Sequence, residues 1–349
     1  MLTDGFFELD MSVADYCKSL RLSCHCSGIL LPQRSNLTLL GVPLFNEAFP
    51  SVLKAKTDSA ELKTARLEKI SSHQALFLLK NCLSIPKLLY VLGSSPAYRW
   101  TQSLHDFDDV IRRCTAKIVN IDMDDSAWRQ ASLPVANGGL GLRCAAELAL
   151  PAYLASVHAT HSLVSQICSE TDLDAAVVEG ITLWRTSCNV EPPPGLTRSV
   201  QKLWDTPPVE SSFRALLEQS SPTDKARLHA VSTKESGAWL NALPVSTLGN
   251  LLEDNSFRIS VGLRLGAKLC ETHICRCGLK VDITGRHGLA YKHSAGRHSR
   301  HDALKGIIHR ALTTCQVHNV REPIGLMRDG NMRPDGLTLV PWYQGKALA

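Results

Sequence analysis

The sequence predicts a predominantly α-helical body joined to a small α+β module at its C-terminal end. Three observations predict it. Apolar residues recur at helical spacing between Asp58 and Ser156, as in the run Leu104, Phe107, Val110, Ile111, Cys114 and Ile118. The stretch Pro192-Pro193-Pro194-Gly195 cannot be helix interior and reads as a linker, with helical pieces resuming between Val200 and Leu252. Beyond Phe257 the composition changes, and Gly, His, Cys and Arg become frequent. With 349 residues the chain can build two or three domains. The expected division is a poorly patterned start over 1–50, a helical domain over 51–190, linker and helices over 191–255, and a basic module over 256–349.

The elements follow in order. Cys17, Cys24 and Cys26 lie close together near the start, but no second ligand pair follows at finger spacing, so they carry no metal assignment. Leu37 to Leu44 reads as a short strand pair broken at Gly41-Val42-Pro43. Asp58 with Glu61 three residues on is a capping-box signal for a helix continued by Leu62, Leu67, Ile70 and Ala75 to Leu79. Ser84 and Pro86 start a second helix, Lys87 to Leu92, which Gly93 can end. A third helix runs from about Trp100 to Asn120, with Asp108–Arg112 and Asp109–Arg113 as i,i+4 pairs on its wet face. Trp128 to Leu142 reads as a Gly- and Leu-rich loop, and Cys144 to Ser156 as a close-packed helix. In the C-terminal module, Arg300 to Cys315 is an amphipathic helix whose core face is Leu304, Ile307, Ile308, Ala311 and Leu312. Strands over Val317–Leu326 and Met332–Pro341 follow, joined at Asp329-Gly330-Asn331.

Composition narrows the function classes. The longest apolar stretch, Ala75 to Leu92, is broken by Lys80, Asn81, Pro86 and Lys87, so it reads as buried helix and no membrane partner is expected. The N-terminus lacks a basic segment followed by an apolar one, which predicts an intracellular protein, cytoplasmic or nuclear, whose 12 Cys are not a disulfide framework. Charge is uneven. Residues 1–255 carry 23 Lys and Arg against 27 Asp and Glu; residues 256–349 carry 15 against 6, and 7 of the 13 His. A basic C-terminal quarter points to a polyanion, DNA or RNA, rather than to a small-molecule substrate.

Several stretches, in this order, resemble reverse transcriptases of non-long-terminal-repeat retroelements, in the lineages with a restriction-like endonuclease at the C-terminus. They are Leu39 to Leu44, His73 to Tyr90, Trp128 to Leu142, Ser236 to Leu240, Phe257 to Cys270, and Cys275 to Trp342, which holds HGLAYKHSAGRHSRH and RPDGLTLVPW. The resemblance covers residues 37–349 and implies that the helical body is the thumb and linker that follow the polymerase palm. Of the two Asp-Asp pairs, Asp108-Asp109 lies on an amphipathic helix. Met123-Asp124-Asp125 lies between a helix and a loop, not on the strand hairpin that holds a polymerase's two metal ions.

The resemblance implies a zinc knuckle at Cys275, Cys277 and His287. Its usual fourth Cys is replaced here by Tyr291, and His293 stands two residues on, with Cys270 and His273 as further candidates. Pro334-Asp335 resembles the first catalytic carboxylate of a restriction-type endonuclease, which uses Mg²⁺ in the intact parent. The second carboxylate belongs to a strand expected about where this chain stops, leaving Glu322 as the nearest acid to compensate and β-hairpin edge unpaired. Arg297, Arg300 and Arg333 flank this site and suit phosphate contacts. The implied ancestral activity is target-primed reverse transcription with DNA nicking, with neither expected of the present chain. The alternative is a host-recruited zinc- and nucleic-acid-binding protein without catalysis.

Overall fold

The computed structural model describes residues 33–167, 174–291, 296–326 and 334–348. The expected strand pair forms: β1 (Thr38–Leu39) runs antiparallel to β2 (Val42–Pro43), with Leu39 opposite Val42. Leu40 and Gly41 turn the chain at φ 52° and 83°. The first long helix, α1 (Phe49–Leu67), starts well before the anticipated capping box, because Pro50 sits in its first turn. Proline's missing N–H costs nothing there and its fixed φ already suits a helix. Asp58 is therefore mid-helix, paired with Lys54 at 3.1 Å.

Residues 72–94 are long and apolar enough to cross a membrane by composition. Here they fold as α2 (Ser72–Leu78), a π-type turn (Leu79–Leu83), a 3-10 turn (Ile85–Lys87) and α3 (Leu89–Ser94), so Gly93 lies inside a helix rather than ending one. Leu76, Leu79, Leu88 and Leu92 enter the core. The partly buried Lys80 ammonium donates to Leu240 O at 2.9 Å and Asn241 Oδ1 at 2.7 Å.

The stripe read from the sequence builds α4 (Thr101–Val119), which ends on Asn120 at φ 52°. One part of that reading is corrected. Asp108 is not on the wet face but 4% exposed, and it accepts the backbone N–H of Ala145 at 2.7 Å and of Ala146 at 3.1 Å, with the Cys144 thiol also donating at 3.1 Å. It satisfies the orphan donors at the start of α6 (Ala145–Ile167). Burial pushes its carboxyl up, and the N–H donors oppose that shift. Arg112 turns instead to Met123 O and Asp125, and Arg113 to Glu61.

Asp124 accepts from Ala127 N at 2.8 Å as the N-cap of α5 (Asp125–Ser132), which puts Trp128 on a helix and starts the Gly-rich loop only at Leu133. Small side chains at Ala145, Ala149, Ala152 and Ala155 bury one face of α6, against which α3 and α8 (Gln201–Gln219) pack. The Pro192–Gly195 stretch is a turn between α7 (Asp174–Cys188) and α8, not a boundary. Across it the Trp184 indole N–H donates to Trp204 O at 2.9 Å, and the two rings meet edge-on at 5.1 Å. After α9 (Pro222–Val231), α10 (Asp254–Leu265) joins the same core, with Phe257 and Val261 fully buried. The chain accordingly divides after Glu271 rather than at 256.

Arg264 of α10 is 4% exposed. Its guanidinium donates to Gly139 O at 3.0 Å, Val135 O at 2.7 Å and Ser236 O at 3.4 Å. Its own carbonyl accepts from Gln130 at 3.0 Å and from Arg227. Gly139 is required where it stands: a Cβ there would lie 2.0 Å from Leu133 O. Nearby, the buried His73 ring stacks on Phe257 at 4.7 Å and meets Trp239 edge-on at 6.3 Å. Four of the stretches singled out in the sequence, around His73, Val135, Ser236 and Phe257, thus converge on one locus.

The Leu252 N–H donates to His73 Nδ1 at 3.2 Å, which keeps that nitrogen unprotonated, and burial lowers the imidazole below its ordinary value. The folded state then binds fewer protons here than the unfolded chain. His73 should contribute stability above pH about 6.5 that is lost as the pH falls through that value. The urea midpoint of the full chain is expected to drop between pH 7.5 and 5.5, and to drop less in His73→Asn. An identical slope in the variant would remove His73 as the cause.

The second unit, Thr272–Ala349, is built from a β3 (His273–Ile274) and β4 (Lys280–Val281) hairpin, the single turn α11 (His287–Ala290), α12 (Gly296–Thr314), and the antiparallel pair β5 (Asn319–Arg321) and β6 (Gly336–Thr338). Among its described residues, Val281 and Pro323 are the apolar side chains that become buried. The expected core face of α12 is corrected: Leu304, Ile307 and Ile308 are each about half exposed, at 56%, 52% and 50%, although β5 lies against the helix. The anticipated open edge of β6 is also partly closed. The Thr338 N–H donates to Leu348 O at 3.0 Å, and the Leu348 N–H donates to Thr338 Oγ1 at 2.9 Å.

Candidate metal centre and acidic cluster

The β3–β4 hairpin positions the metal-ligand candidates. Its turn carries Cys275, Arg276 and Cys277, closed by the Gly278 N–H donating to Cys275 O at 2.8 Å. Gly278 sits at φ 83°, where a side chain would be strained. The α11 turn returns His287 to the same place. The ligand atoms of Cys275, Cys277 and His287 lie within 4.8 Å of one another, and Cys277 Sγ is 3.3 Å from His287 Nε2. Bond lengths of about 2.3 Å to sulfur and 2.0 Å to nitrogen in a tetrahedron put such a pair about 3.6 Å apart. The three residues therefore stand close enough together that they could hold one metal ion.

The electrostatics favour deprotonated sulfur. The Cys277 backbone N–H donated to Cys275, with the His287 and Cys277 side chains beside it, brings the Cys275 thiol down to about 7. Tyr291 moves the other way: desolvation and the two neighbouring cysteines raise its hydroxyl. It stays a phenol, suited to donating toward sulfur rather than to binding metal. His293, the sequence's choice of fourth ligand, lies outside the described residues. Cys270 falls in the first unit and His273 on β3.

A second constellation lies between α12 and the β5–β6 pair. Lys305, whose side chain is 10% exposed, contacts Glu322, lies 3.1 Å from Asp302 Oδ1 and 3.9 Å from Asp335 Oδ1. His301 Nε2 is 2.9 Å from Asp335 Oδ1. No protein-family model and no curated protein matches this chain. Its chemistry is therefore argued from these side chains.

The sequence offered Glu322 only as an acid that could reach Asp335 from the neighbouring strand; here Lys305 contacts Glu322 and lies 3.9 Å from Asp335 Oδ1. Three participants were missed there: His301, Asp302 and Lys305. Their signal was available, since spacings of i+3 and i+4 put all three on one side of α12. Glu322 reaches the cluster through a left-handed backbone at φ 47°, a conformation that non-glycine residues adopt at some cost. Arg333 lies outside the described residues, as do the side chains of Arg297 and Arg300.

Proposed function

We propose that this chain is the C-terminal part of a retroelement reverse-transcriptase polyprotein, and that its second unit is a zinc- and nucleic-acid-binding module. The observation that carries the reading is the Cys275–Cys277–His287 cluster, a soft tight donor set of the kind zinc selects, set in a strongly basic segment. Residues 272–349 hold 12 Lys and Arg against 5 Asp and Glu. The match of ordered stretches to that family supports the origin, and the mostly helical first unit is compatible with a thumb and linker. Bound zinc would cross-link the hairpin to α11, replacing the apolar core that the second unit largely lacks. Polymerase chemistry is not part of this reading, since Asp124 is committed to capping α5.

The test is binding of the full chain to duplex DNA and to RNA across a salt series. Binding led by phosphate neutralisation should weaken steeply, with a log–log slope of about −0.9 per phosphate contacted on duplex DNA. A flat salt response, or full binding after the basic residues of 272–349 are neutralised, would reject it. DNA cleavage is not expected either: the Lys305 ammonium stands among the carboxylates that a divalent ion would have to bridge. Nicking of supercoiled plasmid in Mg²⁺ or Mn²⁺ should stay at the Asp335→Ala background. Asp335-dependent nicking would make the same cluster a working nuclease centre, with Lys305 beside the attacking water.

A further inference from the structure

Between α12 and the β5–β6 pair the second unit encloses a cleft of about 400 Å³. That is within the size range of small-molecule sites, which are mostly apolar with a few placed polar groups. A helix lying over a two-stranded sheet leaves a slot with two opposed walls. Ile308 and Leu312 line it from the helix, and Val320 and Leu337 from the sheet. The rim is charged: Arg321 and Lys305 stand there with Asp335. His309, Asn319 and Thr338 also line the cleft, but its predominantly apolar surface disfavours a sugar or a free phosphate as the inserted group, because neither would recover all of its lost hydration there. A flat heteroaromatic ring loses little by entering, and its polar edge can meet the rim.

We propose that this cleft takes one unpaired nucleobase of a nucleic-acid strand. The inference rests on the nucleic-acid reading above and adds a site and a preference to it: single-stranded or frayed segments over intact duplex, since a paired base cannot enter without being extruded.

The experiment uses the full chain and a short single-stranded oligonucleotide carrying 2-aminopurine, whose emission rises when the base leaves its stacked neighbours. DNA and RNA versions distinguish the two sources. Emission is expected to rise on binding, and Leu337→Trp, which fills the slot, should abolish the rise. A variant that fails to fold would not leave the question open, because a second comparison uses the unaltered protein. An oligomer of equal length in which every nucleoside is replaced by an abasic tetrahydrofuran unit keeps its phosphates. It should bind about tenfold more weakly, as expected from losing one stacked base. Equal affinity for the abasic oligomer with no emission change overturns the base site while leaving salt-dependent binding standing. Failure of both oligomers to bind overturns the nucleic-acid reading itself, and this inference with it.

Discussion

Replacing Arg264 by methionine is expected to destabilise the full chain by about 3–5 kcal/mol, the largest effect foreseen for a single change in the first unit. Methionine keeps most of the apolar stem, so the loss isolates the guanidinium. The guanidinium donates to the carbonyls of Gly139, Val135 and Ser236, of which Val135 O also accepts the Gly138 N–H at 3.1 Å. Hydrogen bonds from a charged donor contribute about 1.5–3 kcal/mol each, and a buried acceptor left without a partner costs about 1–3 kcal/mol. These do not add fully, since the three carbonyls share one donor group. Burial holds the guanidinium down at about 10, so it remains charged at neutral pH. Arg264→Lys keeps the charge but not the planar fork, and should recover less than half of the loss. Urea unfolding of the two variants decides the matter. A midpoint unchanged in Arg264→Met would mean that Gln130 and Arg227 hold the 133–142 loop without it.

Zinc content of the purified full chain is expected to be close to one per chain and to fall nearly to zero in Cys277→Ser. A serine hydroxyl at neutral pH is not a thiolate, and a site left with Cys275 on the short hairpin and His287 on the single turn α11 has little else to retain the ion. Chelation of the parent protein should release one zinc and loosen the second unit selectively, seen as faster backbone amide exchange after residue 272 and unchanged exchange before it. Tyr291→Cys should tighten binding, because a thiolate replaces a phenol that its surroundings keep protonated. A parent protein without zinc, or one whose zinc survives Cys277→Ser, would reject the assignment.

Periodicity carried the reading of the helices well. The stripe of α4 was visible from Leu104 to Ile118, since a helix that buries one face must repeat apolar residues near 3.6. The same logic failed for α12, whose stripe is equally regular but stays half exposed. Periodicity reports that a face is apolar, not that something covers it. Asp108 failed for a related reason. Its i,i+4 spacing to Arg112 is a local pattern, whereas its partners, Ala145 and Ala146, begin another helix and can be known only once the chain has folded.

At the candidate site, Cys275, Cys277 and His287 were legible because metal ligation restricts residue types and spacing strongly. Lys305 was not, because lysine on a helix is ordinarily a solvated face. Its role appears only when β5 and β6 bring Glu322 and Asp335 against it.

The sequence by itself determined the helical character of the first unit, the change of composition toward a basic end, the short turn at Gly41 and the break between helices at Pro192–Gly195. Each is a local property, set by side-chain spacing or backbone restriction within a few residues. Tertiary structure alone decided that the 254–265 helix belongs to the first unit and that Arg264 ties together loops more than a hundred residues apart in sequence. It also decided that, among the described residues of the second unit, few apolar side chains are buried, while Cys275, Cys277 and His287 come together and a cleft lies between α12 and the β5–β6 pair. Those outcomes depend on which buried polar groups find partners and which apolar faces are covered, and both are settled by contacts between segments that no local pattern encodes.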